Sequence, residues 1–177
     1  MITADDLRPL HENNVDAQDT IDLRTAIASL RQKRQPLFLT KDELESILIW
    51  KLGRQLGRNR ARRAANTDEL IRAITGLALT IEHADKEYEL ELKVALLCAL
   101  RGVEIAIASA VLAMVFPDQY AVIDFRGWRQ LFGGEGSAFT IANYKQYMRE
   151  IRRLASELGW TPQQVDHAIW EYDRRHS

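Results

Sequence analysis

Apolar residues recur three and four positions apart along most of this chain, and helix-start signals stand at the head of the runs. That periodicity leaves one face of each segment fit for burial against other helices. Ile21, Leu23, Ala26, Ile27 and Leu30 form one such stripe, and Pro36 breaks the chain after it. Thr40 with Glu43 has capping-box spacing and opens a helix that buries Leu44, Ile47, Leu48 and Leu52. Asn66 with Glu69 repeats the pattern ahead of Leu70, Ile71, Ile74, Leu77 and Leu79. A helix from about Lys86 to Leu100 carries Leu90, Leu92, Val94, Leu96 and Leu97. Gly102 interrupts it, and the small-residue helix IAIASAVLAMVF follows at once. Thr140 starts a long amphipathic helix through Tyr144, Tyr147, Ile151, Leu154 and Leu158, with Gly159 placed to end it. Thr161, Pro162 and Gln164 are good N-cap, first-position and third-position residues for a last helix carrying Val165, Ala168, Ile169 and Tyr172. No segment sustains period-two alternation. The pattern predicts a single all-α domain over residues 1–177.

The length allows a sizeable core, and 46% hydrophobic residues can fill it. The opening MITADDLRPL lacks the features of a signal or transit peptide, and no apolar run approaches the roughly 20 residues of a membrane span. The expected setting is therefore cytoplasmic, with no membrane partner. Cys98 is the single cysteine, which excludes an internal disulfide framework and multi-cysteine metal sites. Within its run ALLCAL it reads as a small buried hydrophobe. His11, His83, His167 and His176 have no metal-ligand spacing, and Trp50, Trp160 and Trp170 read mainly as core. The acidic stretch Asp85–Glu89 reads as a solvated helix start.

The formal charge is −1, so the whole molecule is no polycation. The charge is nonetheless uneven: residues 31–63 hold ten bases against three acids, and no acid lies between Lys51 and Thr67. KLGRQLGRNRARR (51–63) is the candidate anion-binding surface, with Lys51, Arg54 and Arg58 as its first cations. A merely solvated basic loop would read the same way.

From Ala99 to Gly133 the chain runs ALRGVEIAIASAVLAMVFPDQYAVIDFRGWRQLFG. Two helices joined through LRGV are followed by a Pro-containing loop, the apolar run AVI, Asp124 and a further short helix. This stretch resembles the helix-hairpin-helix DNA glycosylase superfamily. Leu100, Gly102 and Val103 match its hairpin, Ala108 and Leu112 its second helix, and Ile123-Asp124 its Val-Asp pair. Arg126 stands at the family's His or Arg position, and Arg129, Leu131 and Gly133 follow in register. The match places the hairpin at about 88–115 and the loop with the catalytic aspartate at about 116–133.

The resemblance implies a base-excision enzyme with Asp124 as its catalytic carboxylate. It also implies duplex DNA carrying a damaged or modified base as partner, and a nucleoid location. The hairpin residues Arg101, Gly102 and Val103 would meet DNA together with Arg126 and the basic stretch, while Phe125 and Trp128 would line the base pocket. No cofactor is required. The carbonyls of Cys98, Leu100 and Val103 match positions that hold a structural monovalent cation. Three departures refine this. Arg101 replaces the usual hairpin proline, Glu104 replaces its second glycine, and Ala106 stands where bifunctional members carry a Schiff-base lysine. The last predicts a monofunctional glycosylase without β-lyase activity. The alternative is a non-catalytic helix-hairpin-helix module for DNA or protein, in which Asp124 is only a helix N-cap or the partner of Arg126 or Arg129.

Overall fold

The computed structural model describes residues 2–11, 17–57, 59–134, 136 and 138–176. Among them lie ten α-helices and no strand: α1 (Ala4–His11), α2 (Gln18–Lys33), α3 (Lys41–Leu52), α4 (Arg60–Ala64), α5 (Asp68–Thr80), α6 (Lys86–Cys98), α7 (Ile105–Val115), α8 (Phe125–Phe132), α9 (Ile141–Leu158) and α10 (Pro162–His176). The all-α expectation holds for these residues. None of these helices is long and apolar enough to cross a membrane.

The centre of the fold is α7. Every residue from Ile107 to Val115 is buried, and the small side chains Ala108, Ser109, Ala110 and Ala113 let α2, α3, α6 and α9 close in around it. A helix apolar on all sides is stable in water only when neighbours cover it all round. On one side α2, α3 and α6 pack on α7, with α5 against α3 and α6; on the other, α1, α8 and α9 gather on α10. The long helix α9 joins the two groups through α6 and α7.

The helix starts follow the sequence closely. Thr40 and Glu43 form the full capping box of α3, and Thr140 forms one with Asn143 at α9. The Thr161 hydroxyl accepts from the Gln164 amide at 3.2 Å while Gln164 Oε1 accepts from the Thr161 amide at 2.8 Å. Gly159 ends α9 in the left-handed region at φ 71°.

Four expectations need correction. Thr67, rather than Asn66, caps α5; Asn66 is buried and instead holds the backbone of Arg101 from both sides, at 2.9 and 3.0 Å. Ile21, Leu70 and Leu77 keep their helical spacing but lie exposed, because no helix among the described residues covers that edge of their stripes. Glu89 is buried rather than solvated: it accepts from the His83 amide and Lys86, and Tyr120 donates to its other oxygen. The N-terminal residues, for which the periodicity predicts no helix, form α1, which buries Ala4, Leu7 and Leu10 as it packs on α9 and α10, and Ile2 just before it is buried too.

Candidate active site

The segment joining α7 to α8 is short, extended and tied down by side chains from three helices. The Tyr144 hydroxyl of α9 donates to the Ala121 carbonyl at 2.8 Å. The Val122 amide donates to Asp166 Oδ2 of α10 at 3.2 Å. The Ile123 amide donates to Ser109 Oγ of α7 at 3.1 Å. Satisfying buried backbone groups in this way fixes the path of an otherwise irregular stretch, and it delivers Asp124 to one place.

Asp124 then opens α8. Its Oδ1 accepts from the amides of Arg126 and Gly127, both at 3.0 Å. Its Oδ2 faces the Lys51 amine at 3.6 Å. The N-cap reading of Asp124 is therefore correct, while the suggested ion pair with Arg126 or Arg129 is not. Those two arginines turn to Asp173, which is fully buried and accepts from both and from Gln130.

Asp124 and Lys51 lie in a cleft of about 730 Å³ between the two helix groups. Thr20 and Arg24 of α2, Trp50 of α3 and Met114 of α7 face Gln163, Asp166, His167 and Trp170 of α10 across it. The Trp50 indole is fixed by donating to Thr20 Oγ1 at 3.0 Å. Trp170 is 40% exposed, so much of its ring is open to contact. Tyr147 donates to Asp166 Oδ1 at 2.8 Å. Loss of water contact, and then the negative charge of Asp124, push the Asp166 carboxyl up to about 7; Tyr147, Lys51 and the Val122 amide pull the other way. Near neutral pH Asp166 is thus poised to take or give a proton at the wall of the cleft.

Several residues stand elsewhere than the sequence suggested. Phe125 is 51% exposed and lies beside Arg126, outside the cleft lining. Trp128 packs on Phe132 and Phe139, on the far side of α8. The walls expected from these two are supplied by Trp50 and Trp170, which had read as core. Arg126 braces α8 on α10 through Asp173, with its guanidinium also beside Trp170. Lys51 is inside the cleft rather than on a basic rim, with 14% of its side chain exposed.

The turn between α6 and α7, matched above to the hairpin, is also differently presented. Gly102 has φ +76°, and a Cβ there would meet Arg63 Cγ at 2.7 Å, so only glycine fits this turn. Gly102 and Val103 are buried beneath α4, and Arg101 and Glu104 take the exposed positions. The Val103 amide is spent on the Leu100 carbonyl at 3.1 Å, one of the three carbonyls matched to a cation site. The Asn59 side chain reaches Glu104 Oε1 at 3.5 Å. Asn59 and Arg63 of the basic segment consequently lie against this turn, with Arg54, Arg60 and Arg62 exposed; Arg58 lies outside the described residues. Burial and the charge of Glu104 raise the Cys98 thiol to about 11, which leaves it inert as a nucleophile. Among the described residues no three or more His, Cys, Asp or Glu side chains gather in a way that would hold a metal ion.

Asp166, His167 and Trp170 were missed. Their signal was present in α10, where Asp166, Trp170 and Asp173 recur at helical spacing beside the apolar stripe. Acids on an inward helix face need partners, and only the fold supplies Tyr147, Arg126 and Arg129 as those partners. Comparison with protein-family models, with curated proteins and with solved structures finds no match to this chain.

Proposed function

We propose that this protein is a DNA base-excision glycosylase that cleaves the N-glycosidic bond of a damaged or modified base, with Asp124 as the catalytic carboxylate. The observation that carries the reading is the setting of Asp124, held by two amides at a helix start inside a cleft with indoles in its walls. Loss of a base builds positive charge at C1′ of the sugar, and a fixed carboxylate stabilises that charge and orients the attacking water. A base turned out of the stack needs apolar, flat walls, which Trp50 and Trp170 offer. Asp166 supplies a group able to donate a proton toward the leaving base.

The basic run supports a path for the DNA backbone. It begins at Lys51 in the cleft and reaches the hairpin at Arg63, so phosphates lying along it would hold the strand across both. A monovalent cation on the Cys98, Leu100 and Val103 carbonyls would brace the turn and do no chemistry.

The second reading is a non-catalytic binding module. It is favoured by the use of Asp124 Oδ1 as a helix cap and by the exposed Glu104, a carboxylate where the hairpin would approach phosphate. Base release from duplexes carrying a panel of damaged and modified bases separates the two. Asparagine caps helices as well as aspartate, so Asp124→Asn keeps the start of α8. A glycosylase loses about 100-fold or more in rate with this change while its melting temperature and DNA affinity persist. No base release by the wild type from any duplex, with binding intact, leaves the binding module.

A further inference from the structure

One face of α10 lines the cleft along the length of the helix: Asp166, Trp170 and Arg174 stand at four-residue steps, with His167, Glu171 and Arg175 beside them. Cleavage of a glycosidic bond at Asp124 draws on Asp166 and Trp170 and leaves the last turn without a part. That turn is built with care. Glu171 is 4% exposed, and both its oxygens accept from guanidinium groups. Arg174 donates through Nε and Nη2, each at 2.8 Å, and Arg175 through Nε at 2.7 Å. The bonds from Arg174 and then Arg175 hold the Glu171 carboxyl down to about 2, so it stays ionised near neutral pH. Arg174 Nη1 and both terminal nitrogens of Arg175 find no protein acceptor among the described residues, and the two side chains are 59% and 44% exposed.

Positive charge in the last turn of a helix is ordinary, because it complements the helix dipole. That purpose needs no buried acid to bring two guanidinium groups to one oxygen, and no cleft in front of them. Glu171 and the helix end, about half a charge, offset less than the two arginines carry. Arg24 of α2 adds a positive charge on the facing wall.

Resting on the glycosylase reading for the identity of the ligand, we propose that Arg174 and Arg175, anchored by Glu171, form a phosphate-binding fork in the cleft. It holds a phosphate ester of the nucleotide whose base enters beside Trp50 and Trp170. Arg174 lies one turn, about 6 Å, beyond Trp170 along α10. A nucleotide carries a flat base at one end and phosphate at the other, so a ring followed by a cation pair meets both ends. Guanidinium donors match phosphate oxygens two at a time, and side chains already fixed by Glu171 lose little freedom on binding. The fork is separate from the arginines of α4 and of the α6–α7 turn, none of which lines the cleft. The same chemistry recognises a phosphate of a DNA strand and that of a free nucleotide.

Two probes distinguish these sources. The first is a labelled duplex with one tetrahydrofuran abasic site, in which the phosphate on either side is replaced in turn by an uncharged methylphosphonate. Fluorescence anisotropy should show wild-type affinity falling about tenfold or more for one replacement, as expected for loss of charge-assisted hydrogen bonds. Arg174→Lys/Arg175→Lys keeps both charges beside Glu171 but not the fork. It should bind the unmodified duplex more weakly than wild type and lose little more on that replacement. The second probe is the set of 2′-deoxynucleoside 5′-monophosphates with the matching nucleosides, titrated against tryptophan fluorescence. For a free nucleotide, monophosphates should bind the wild type about tenfold or more tighter than nucleosides, and the lysine pair should remove most of the difference. Either pattern supports the fork. Duplex binding that neither methylphosphonate weakens, with monophosphates held no better than nucleosides, overturns it and leaves the glycosylase standing. Losses equal in wild type and the lysine pair place the phosphate elsewhere and overturn it too. Monophosphate binding through the fork without any duplex binding keeps the fork and removes the DNA reading, and binding of neither probe removes both. Should the double variant fail to fold, Arg175→Gln leaves Glu171 both its bonds to Arg174 and repeats the comparison.

Discussion

The Tyr147 hydroxyl donates to Asp166 Oδ1 at 2.8 Å, joining α9 to α10 directly behind the cleft. The same carboxylate holds the Val122 amide through its other oxygen. One half-buried acid therefore supports the segment that ends in Asp124 while lining the cleft itself.

Asp166 should make stability depend on pH in a particular direction. Its carboxyl titrates near 7 in the folded protein against an ordinary value of 3.8. Between those values the folded state holds a proton that the unfolded chain lacks, so this contribution is complete below about pH 4 and lost as pH rises through 7. Thermal denaturation from pH 4 to 8 should show wild-type stability falling relative to Asp166→Asn across that window. Parallel curves for the two proteins would contradict the assignment.

Gly127 is the contact that keeps Tyr147 in place. A Cβ at position 127 would run into the Tyr147 hydroxyl. Gly127→Ala must displace either α8 or the phenol, and overpacking of this kind costs about 1–3 kcal/mol. Urea unfolding should show that loss, and the pH dependence assigned to Asp166 should change with it. A Gly127→Ala protein as stable as wild type would mean that the site tolerates movement.

Asp173 should prove structural and costly to remove. It is fully buried under Arg126, Arg129 and Gln130. Asp173→Ala removes the buried acceptor that Arg126, Arg129 and Gln130 share, and because the two arginine side chains are 31% and 42% exposed and can be hydrated, the loss should be about 1.5–3 kcal/mol. The midpoint of denaturant unfolding measures it; a change below about 1 kcal/mol would place these arginines in the range of surface pairs.

On the proposed function, the exposed arginines beside the turn between α6 and α7 should set the salt dependence of DNA binding. Arg60 and Arg62 of α4 and Arg101 of the neighbouring turn are all exposed. Replacing each by alanine should lower the slope of log affinity against log salt by about one. Fluorescence anisotropy with a short duplex, over a salt series, reads this directly. An unchanged slope in the triple variant would put the phosphates elsewhere.

Sequence alone determined the helices, because the forces that start and stop a helix act within four residues. Thr40 with Glu43, Thr161 with Gln164 and Gly159 need nothing distant to take up their roles. It also brought Asp124 forward, through a local run of residues that fixed both the helix cap and the resemblance. Tertiary structure decided the rest. Whether a residue at helical spacing is buried depends on which helix arrives to cover it, so Ile21 and Leu77 face water while Glu89 does not. Whether an arginine meets solvent or a carboxylate depends on a partner far along the chain, as Asp173 is for Arg126. The site is of that second kind: Lys51, Asp124 and Asp166 come from α3, the start of α8 and α10. No spacing in one dimension encodes their meeting, which follows from the packing of α3 on α7 and of α10 on α8 and the segment between α7 and α8.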